Sequence, residues 1–482
     1  MLESHNSPRR RAVRWGMLGW LALASGGCGN EVVVVGGDPG DVCAGVRGEG
    51  CDASIGGICV GEKIARSCAP EACACSRITA VSSGAELNDA LAAASTGDCI
   101  ELMGSSYGDV SVPAGVQLLS RQSASPRLGA VKMATKSGLC GVEVRDGLVV
   151  SAGAESVAIR KVRVSDAPTR GILVDEGASG RIADTTVVDA GEVGLLMGLS
   201  SDVTLERVAV VRSSYFGIAA TCGSCGCDEA PPFSVKLRKV AAEENKVSGM
   251  WFEGIDVQAE DIAIRESSVG QNFDFGSGLT VRCSNMIVRG LEVVDNADYG
   301  VGIFDADVTL EPGDTPFTVS GNLFGVWAVE IGAASSALAS LRGATIEDNA
   351  GAGVAIGGAF GPGVVELTDV TVRRTENITI PVLINGVSAS AENVGDGILW
   401  LDGVETRLTD VEVSDNDRAS LLINGASAGM LDSVRFTGGD SGDAPLLQNY
   451  FGGPEPAVEG ETPPLEVTSD EVFPVPPTPQ FE

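Results

Sequence analysis

Short groups of apolar residues recur along this chain at a nearly regular interval. Each group opens with a glycine and continues with apolar side chains, as in residues 171–174 and 353–356. Successive groups start about 22 to 32 residues apart, with one longer gap before Gly397. The glycines are Gly171, Gly194, Gly217, Gly249, Gly278, Gly300, Gly325, Gly353 and Gly397, and residues 420–423 continue the series without one.

An alternating strand and a polar turn precede many of these groups. Residues 162–166, 345–349 and 411–416 show the pattern, with Asp or Asn at the turn. Short strands of period two, and turns rich in Asn, Asp and Gly at a steady interval, are typical of a solenoid. Each coil of a solenoid buries its apolar face by stacking on its neighbours. The sequence therefore predicts an all-β fold of stacked parallel strands.

The strand pleat assigns inward and outward positions. Side chains one and three residues after each glycine are nearly always apolar and are predicted to face the core, so those two and four residues after it should face outward. Coils stack about 4.8 Å apart, which would place the two outward tryptophans, three coils apart, about 14 Å from each other. The outward column carries Trp251, Glu253, Arg282, Phe304 and Trp327.

A short amphipathic helix is predicted before the first coil. Ser83 and Glu86 form a capping box, and apolar residues follow at helical spacing, which predicts a helix from residue 84 to about Gly97. Residues 86–98, running into 100–102 and 116–119, resemble the start of pectin-lyase-like domains, where such a helix caps the open end of the stack. The resemblance implies a right-handed parallel β-helix over residues 83–443, and it is specific to the fold and not to an activity.

The N-terminus has the layout of a secretory signal. Four arginines between Arg9 and Arg14 precede the apolar run 15–24, which is too short to span a bilayer as a mature helix. Cleavage after Ala24 is one route. The other is lipidation of Cys28, whose preceding residues resemble a bacterial lipobox with Ser25 in the usual place of Leu.

Cysteine parity favours the lipidated form. The chain has 13 cysteines, so a lipid on Cys28 leaves an even set that can pair completely. Asn30 resembles the signal by which Gram-negative lipoproteins leave the inner membrane. We expect residues 1–27 to be a signal peptide, 28–42 a tether, and the location to be the outer membrane or cell surface; free secretion remains the alternative.

Residues 43–76 are predicted to form a small disulfide-rich module. They contain few large apolar residues, so covalent links must replace a core. A zinc site is not favoured, because the one histidine, His5, lies in the signal. The pairing stays open, since six cysteines allow 15 connectivities. The cysteines are Cys43, Cys51, Cys59, Cys68, Cys73 and Cys75.

The remaining cysteines fall in the repeat region. Cys99 and Cys140 are predicted to pair in the first coils. Cys222 and Cys283 share a column two coils apart, about 9.6 Å, which exceeds the roughly 7 Å a disulfide can bridge. We therefore expect Cys225 or Cys227 to bond Cys283 and the other to bond Cys222; a four-sulfur zinc site is the alternative.

Charge limits the range of partners. The net charge is −32, and removal of residues 1–27, with four arginines and one glutamate, makes it about −35. Nucleic acid and anionic lipid surfaces are therefore poor partners, and we expect no nucleic acid and membrane contact through the lipid anchor only. Beyond residue 443 the chain is rich in Pro and Glu, and 444–482 is predicted to be a poorly ordered tail.

Few residues suit catalysis. Polygalacturonase-like β-helix enzymes resemble each other in paired aspartates, a Gly-His-Gly and an Arg-x-Lys, and this chain has neither an Asp-Asp pair nor a mature histidine. A pectate-lyase-like mechanism needs carboxylates for calcium and an Arg or Lys base. Arg282 and Glu253, with Asp256, are the candidates, although a cross-coil ion pair is the favoured interpretation.

No cofactor is predicted. Calcium at the turn Asp and Asn residues is the alternative to hydrogen bonding within the turns, which we favour. Exposed aromatics beside charged groups suit sugar rings, whereas cover by residues 222–232 or by a partner chain is the favoured alternative at the column. The leading function is a non-catalytic, envelope-anchored β-helix that binds polysaccharide or another surface polymer. The alternatives are a lyase or epimerase of acidic glycans and a structural spacer.

Overall fold

The computed structural model describes residues 53–55, 58–60, 75–121, 125–222, 233–270, 276–330, 338–358, 363–384, 387–401, 404–424, 428–437, 446–448, 457–460 and 466–468. Most of them lie in strands of a parallel β-helix, and each coil passes through two sheets in turn. We call the 24-stranded sheet "sheet I" and the 16-stranded sheet "sheet II".

Sheet I forms two of the faces of the coil. Long strands such as Asp202–Val211 bend at a residue with positive φ, here Arg207, so one strand serves both faces. Its strands are Arg77–Val81, Asp98–Leu102, Gln117–Leu119, Arg127–Leu128, Gly138–Cys140, Glu143–Val144, Val157–Arg160, Arg163–Ser165, Ser179–Val188, Asp202–Val211, Ser234–Glu243, Asp256–Arg265, Asn285–Val294, Asp307–Glu311, Phe317–Ser320, Leu338–Arg342, Ala344–Glu347, Val364–Thr368, Thr371–Arg373, Glu405–Thr409, Glu412–Ser414, Ala428–Asp432, Arg435–Thr437 and Ala457–Gly460.

Sheet II contains the glycine-led groups. One antiparallel strand, Ile378–Ile384, pairs with Val387–Leu401 and leaves the stack. The parallel strands are Val110–Val112, Val131–Met133, Leu148–Val150, Ile172–Val174, Leu195–Met197, Phe216–Thr221, Ser248–Glu253, Ser277–Arg282, Tyr299–Phe304, Phe324–Glu330, Gly351–Gly358, Val387–Leu401, Ala419–Asn424, Leu446–Gln448 and Glu466–Thr468.

The predicted register is confirmed. Ile218, Met250, Leu279 and Val301, each one residue after its glycine, are paired from coil to coil. All four are buried in the single large cluster that fills the interior. The repeat therefore encodes the stacking of sheet II directly.

The predicted capping helix is present over Gly84–Ala92 and packs on the first coil through Leu87 and Leu91. The Ser83 hydroxyl accepts from the Glu86 N–H, but the Glu86 carboxylate accepts from the N–H of Ser82 and not from that of the cap residue. The helix ends before the predicted Gly97. The Ser95 N–H donates to the Asp98 carboxylate at 2.8 Å instead of to a helix carbonyl, and the next strand begins at Asp98.

Turn asparagines hydrogen-bond one another, as favoured from the sequence. The Asn322 side-chain oxygen accepts from the backbone and side chain of Asn296, and Asn349 does the same for Asn322. These buried amides leave few turn groups unsatisfied. The ladder therefore stabilises the corner between the sheets.

The predicted Cys99–Cys140 disulfide is wrong, because Cys99 bonds Cys75, with the two Cα atoms 5.5 Å apart. Strand Arg77–Val81 precedes the helix and pairs directly with Asp98–Leu102, which brings Cys75 beside Cys99. Cys140 lies in a strand two coils from Cys99, beyond the reach of a disulfide. Cys75 thus joins the predicted Cys-rich module to the first coil.

Cys140, Cys222 and Cys283 are also disulfide-bonded. The pairs Thr221 to Glu253 and Glu253 to Arg282 confirm that Cys222 and Cys283 stand two coils apart. Their predicted bonds to Cys225 and Cys227 stay predictions, since those residues lie outside the described part of the chain. Cys28 and the cysteines at positions 43, 51, 68 and 73 lie outside it as well.

Part of the predicted Cys-rich module lies on the side of the stack. Its antiparallel strands Ala53–Ile55 and Ile58–Val60 are described, and the second contacts strands Asp202–Val211 and Ser234–Glu243 of sheet I. Outward-facing residues of this region of sheet I are buried in a cluster of their own, formed by Ala209, Val211, Ala241 and Ala263.

Three short strands follow residue 443, where the tail was expected to begin. Leu446–Gln448 and Glu466–Thr468 continue sheet II, and Ala457–Gly460 continues sheet I. Paired strands thus extend into the expected tail; its other residues lie outside the described ones. The described residues contain no helix with the length and apolar character that crossing a bilayer requires.

Candidate functional site

The outer face of sheet II brings together part of the predicted outward column. Strands Phe216–Thr221, Ser248–Glu253 and Ser277–Arg282 are adjacent and in register. Trp251 and Glu253 lie on the middle strand, two residues apart and on the same face. Arg282 is paired directly with Glu253, as the sequence predicted.

Glu253 is buried and fully engaged. Its carboxylate accepts from the Thr221 hydroxyl at 2.9 Å and from Arg282 Nη1 at 2.8 Å. A buried carboxylate is costly unless hydrogen bonds and an opposite charge offset its desolvation, and both are supplied here. The favoured interpretation, a cross-coil ion pair, is what the structure contains.

This ion pair opposes the alternative role of Arg282 as a base. A base must lie within hydrogen-bond reach of the proton that it removes, and Arg282 Nη1 is already bonded to the Glu253 carboxylate. Asp256, the third catalytic candidate, starts a strand of sheet I, where it accepts from the Asn285 amide at 2.8 Å. The three candidates therefore do not form one cluster.

Trp251 remains partly exposed beside the ion pair. Its ring packs against Phe216, with ring centroids 5.5 Å apart and planes tilted by 46°. The contact holds the indole while part of it stays exposed. We call Phe216, Thr221, Trp251, Glu253 and Arg282 the "Trp251 surface".

Phe304 and Trp327 are covered by apolar contacts, which was the favoured interpretation of the outward column. Their side chains do point away from the interior, but they are 0% and 3% exposed. They belong to a second apolar cluster outside sheet II, in which Tyr299 packs on Phe304 and Phe324 on Trp327. Outward direction does not ensure solvent contact here, because these side chains pack on one another and on Val394 and Ile378.

A buried ion pair lies next to this second cluster. Arg418 donates through Nε and Nη2 to the two carboxylate oxygens of Asp396, with the Nε bond at 2.7 Å. Asp396 pairs with Ala352 and Ala419, both members of the cluster. Burial raises the pKa of Asp396, and the charge of Arg418 opposes that rise.

Sequence reasoning missed two members of the Trp251 surface. Thr221 lies four residues after Gly217, in the column of Glu253 and Arg282, so the register alone identifies it. Phe216 directly precedes a glycine, and the inward and outward assignment was made only for the residues after each glycine. The sequence therefore did not predict which way the Phe216 side chain points. Within the described residues, no group of three or more His, Cys, Asp or Glu side chains could hold a metal ion.

The comparisons with known proteins agree with this fold. Residues 146–324 match the family described as "Right handed beta helix region". No curated protein sequence matches the chain.

Several solved structures are similar to this chain at low identity and low TM-score. An alginate lyase from Paenibacillus sp. str. FPU-7 is 14% identical, with 60% of this chain and 93% of that chain covered and a TM-score of 0.31. The A-module of an Azotobacter vinelandii mannuronan C-5 epimerase is 13% identical, with 78% and 96% covered and a TM-score of 0.33. The catalytic unit of a thermostable α-1,3-glucanase from Streptomyces thermodiastaticus strain HF3-3 is 14% identical, with 71% and 70% covered and a TM-score of 0.34.

Proposed function

We propose that this chain, a right-handed parallel β-helix protein, binds polysaccharide at the Trp251 surface without cleaving it. One observation carries the proposal: Trp251 keeps a partly exposed indole beside a fixed ion pair, whereas Phe304 and Trp327 of the same outward column are buried.

The chemistry of the surface suits a sugar ring. A pyranose offers an apolar face, which stacks on an indole, and a rim of hydroxyls, which bond charged side chains. Trp251 is held by Phe216, and Arg282 by Glu253, so little side-chain freedom is lost on binding. Because the aromatic ring and the polar groups are already ordered, a glycan can bind here with a small loss of side-chain entropy.

Replacement of Trp251 by alanine is expected to raise the Kd for the bound glycan roughly tenfold or more, because a central aromatic contact is lost. Retention on immobilised polygalacturonate, alginate and a neutral glucan measures this. Ile287→Ala, which shortens an exposed apolar side chain on sheet I, is the matched control and should bind as the unaltered chain does. Equal retention of both variants on every glycan would exclude the Trp251 surface.

The same samples distinguish binding from lyase chemistry. A lyase generates an unsaturated sugar end that absorbs in the ultraviolet, and a binding protein does not. We expect no such product from either polyuronate. Product that disappears with Arg282→Ala would establish the lyase alternative instead, and absence of both product and retention would favour a structural spacer.

We also propose that the chain is exported and anchored through a lipid on Cys28. Support comes from Cys75, Cys99, Cys140 and the other described repeat cysteines, which are disulfide-bonded, as is typical of exported proteins. Mass spectrometry of the mature N-terminus is expected to find a diacylglyceryl-modified Cys28. An unmodified N-terminus at Ser25 would rule out this anchor.

A further inference from the structure

The outer face of sheet I carries a concentration of basic residues in an acidic protein. Four adjacent coils, with strands Val157–Arg160, Ser179–Val188, Asp202–Val211 and Ser234–Glu243, contribute them. Carboxylates lie on the same strands, at Asp184, Asp202, Glu206 and Glu243, and Glu260 of the next strand is paired with Arg238. The basic residues are Arg160, Lys161, Arg163, Arg181, Arg207, Lys236, Arg238 and Lys239.

Three guanidinium groups converge on one carboxylate at the centre of this face. Glu206 accepts from Arg181 and Arg207, and from Arg238 at 2.9 Å. Arg207 also forms a two-bond contact with Asp184, at 2.5 and 3.1 Å. Burial raises the pKa of Glu206, but the hydrogen bond from Arg181 and the charge of Arg207 outweigh it, and the pKa lies below its usual range.

The outer arginines keep donors available for a ligand. The side chains of Arg181 and Arg238 are 46% and 56% exposed. Each guanidinium has five N–H donors, and within the described part of the chain Arg181 and Arg238 each donate one hydrogen bond, to Glu206. Glu206 therefore holds both groups in place while most of their donors face solvent.

The surrounding lysines add to the positive charge. Lys236 is exposed on the strand of Arg238, and the partly exposed Lys239 follows at the corner. Repulsion from the rest of the acidic chain is screened beyond about 8 Å at physiological ionic strength. The ordered guanidinium groups of Arg181 and Arg238 can thus contact a nearby anion despite the net charge of −32.

We propose that Arg181, Arg207 and Arg238, held around Glu206, bind the carboxylate groups of an anionic polysaccharide. This inference rests on the proposed polysaccharide binding and names its substrate class. Guanidinium groups match carboxylates by paired hydrogen bonds. Coils repeat at about 4.8 Å, comparable to one sugar ring, so successive coils can meet successive acidic sugars of an extended chain.

The experiment compares two double variants with equal loss of charge. Arg181→Gln/Arg238→Gln removes the exposed arginines of the cluster. Arg373→Gln/Arg407→Gln removes two comparably exposed arginines farther along the same sheet, each paired with its own carboxylates. Thermal unfolding of both variants checks that the stack is intact, and the ligands are alginate, a neutral glucan and duplex DNA at physiological ionic strength.

Arg181→Gln/Arg238→Gln should weaken alginate binding roughly tenfold or more and flatten its dependence on salt. Binding of the control variant to alginate, and of either variant to the glucan, should be unchanged. Equal alginate affinity of the two variants would overturn the proposal, and so would DNA binding by the unaltered chain as tight as alginate binding.

The result separates this inference from the proposed function. A loss with the cluster variant but none with Trp251→Ala would support the arginine cluster and contradict the Trp251 surface. The reverse result would keep the Trp251 surface and reject the cluster. Failure of the unaltered chain to bind any glycan would contradict both.

Discussion

Asp396→Ala is expected to lower the free energy of unfolding by about 3–5 kcal/mol, because it leaves a buried guanidinium without its counter-charge. The side chains of Asp396 and Arg418 are 0% and 6% exposed, so water cannot replace the lost carboxylate. Urea unfolding followed by circular dichroism measures the loss. The effect should be among the largest that one substitution causes in this chain.

Two further variants test this explanation. Asp396→Ala/Arg418→Met removes both charges and should recover most of the lost stability, because burying an uncompensated charge is what costs most. Asp348→Ala breaks an exposed ion pair with Arg374 and should cost less than about 1 kcal/mol. Similar losses for Asp348→Ala and Asp396→Ala would show that burial of the pair does not matter.

Asp298→Asn is expected to stabilise the protein at neutral pH by roughly 2–4 kcal/mol. Burial raises the pKa of Asp298 to about 7, from an ordinary value of 3.8. The folded state therefore prefers the protonated acid. Its contribution to stability is full below about pH 4 and is lost as pH rises through about 7, which the amide variant should prevent.

Stability measured from pH 4 to pH 8 tests this sign. The unaltered chain should lose more stability over this range than Asp298→Asn does. Asp295→Asn, at an exposed turn position three residues earlier, is the matched control and should follow the unaltered chain. Parallel pH profiles for all three proteins would contradict the assignment to Asp298.

The repeat was predictable because the same pattern of glycine, apolar and polar residues recurs in each coil. The glycine and the two apolar residues after it fix which side of sheet II is buried, and Ile172 and Val174 are buried as expected. The cross-coil pairing of Glu253 with Arg282 follows from that register alone. Contacts between neighbouring coils are thus accessible to sequence reasoning.

Contacts made by segments outside the repeat were not predictable in the same way. Phe304 and Trp327 point outward as expected, but they are buried in the second apolar cluster outside sheet II. The bond of Cys75 to Cys99 depends on a strand, Arg77–Val81, that comes before the expected first coil. The alternation of apolar and polar residues within a coil does not predict where segments outside the repeat will pack.

The arginine cluster was missed for another reason. Arg181 and Arg238 are 57 residues apart along the chain, and within any one coil the basic residues alternate with apolar ones. Only alignment of the sheet I strands shows that they meet around Glu206. The register of the sheet I strands would have aligned these residues. The glycine-led groups that set the predicted register lie in sheet II, so the sheet I strands were not aligned from the sequence.

Radical oxidation footprinting tests most directly whether polysaccharide binds at Trp251. Trp327 and Trp400 are buried, so among the described tryptophans Trp251 should be the one that reacts readily. Bound polysaccharide is predicted to protect Trp251 from oxidation and to leave the exposed Met430 of sheet I unchanged. Oxidation of Trp251 at the same rate, with and without a polymer that the protein retains, would contradict the account.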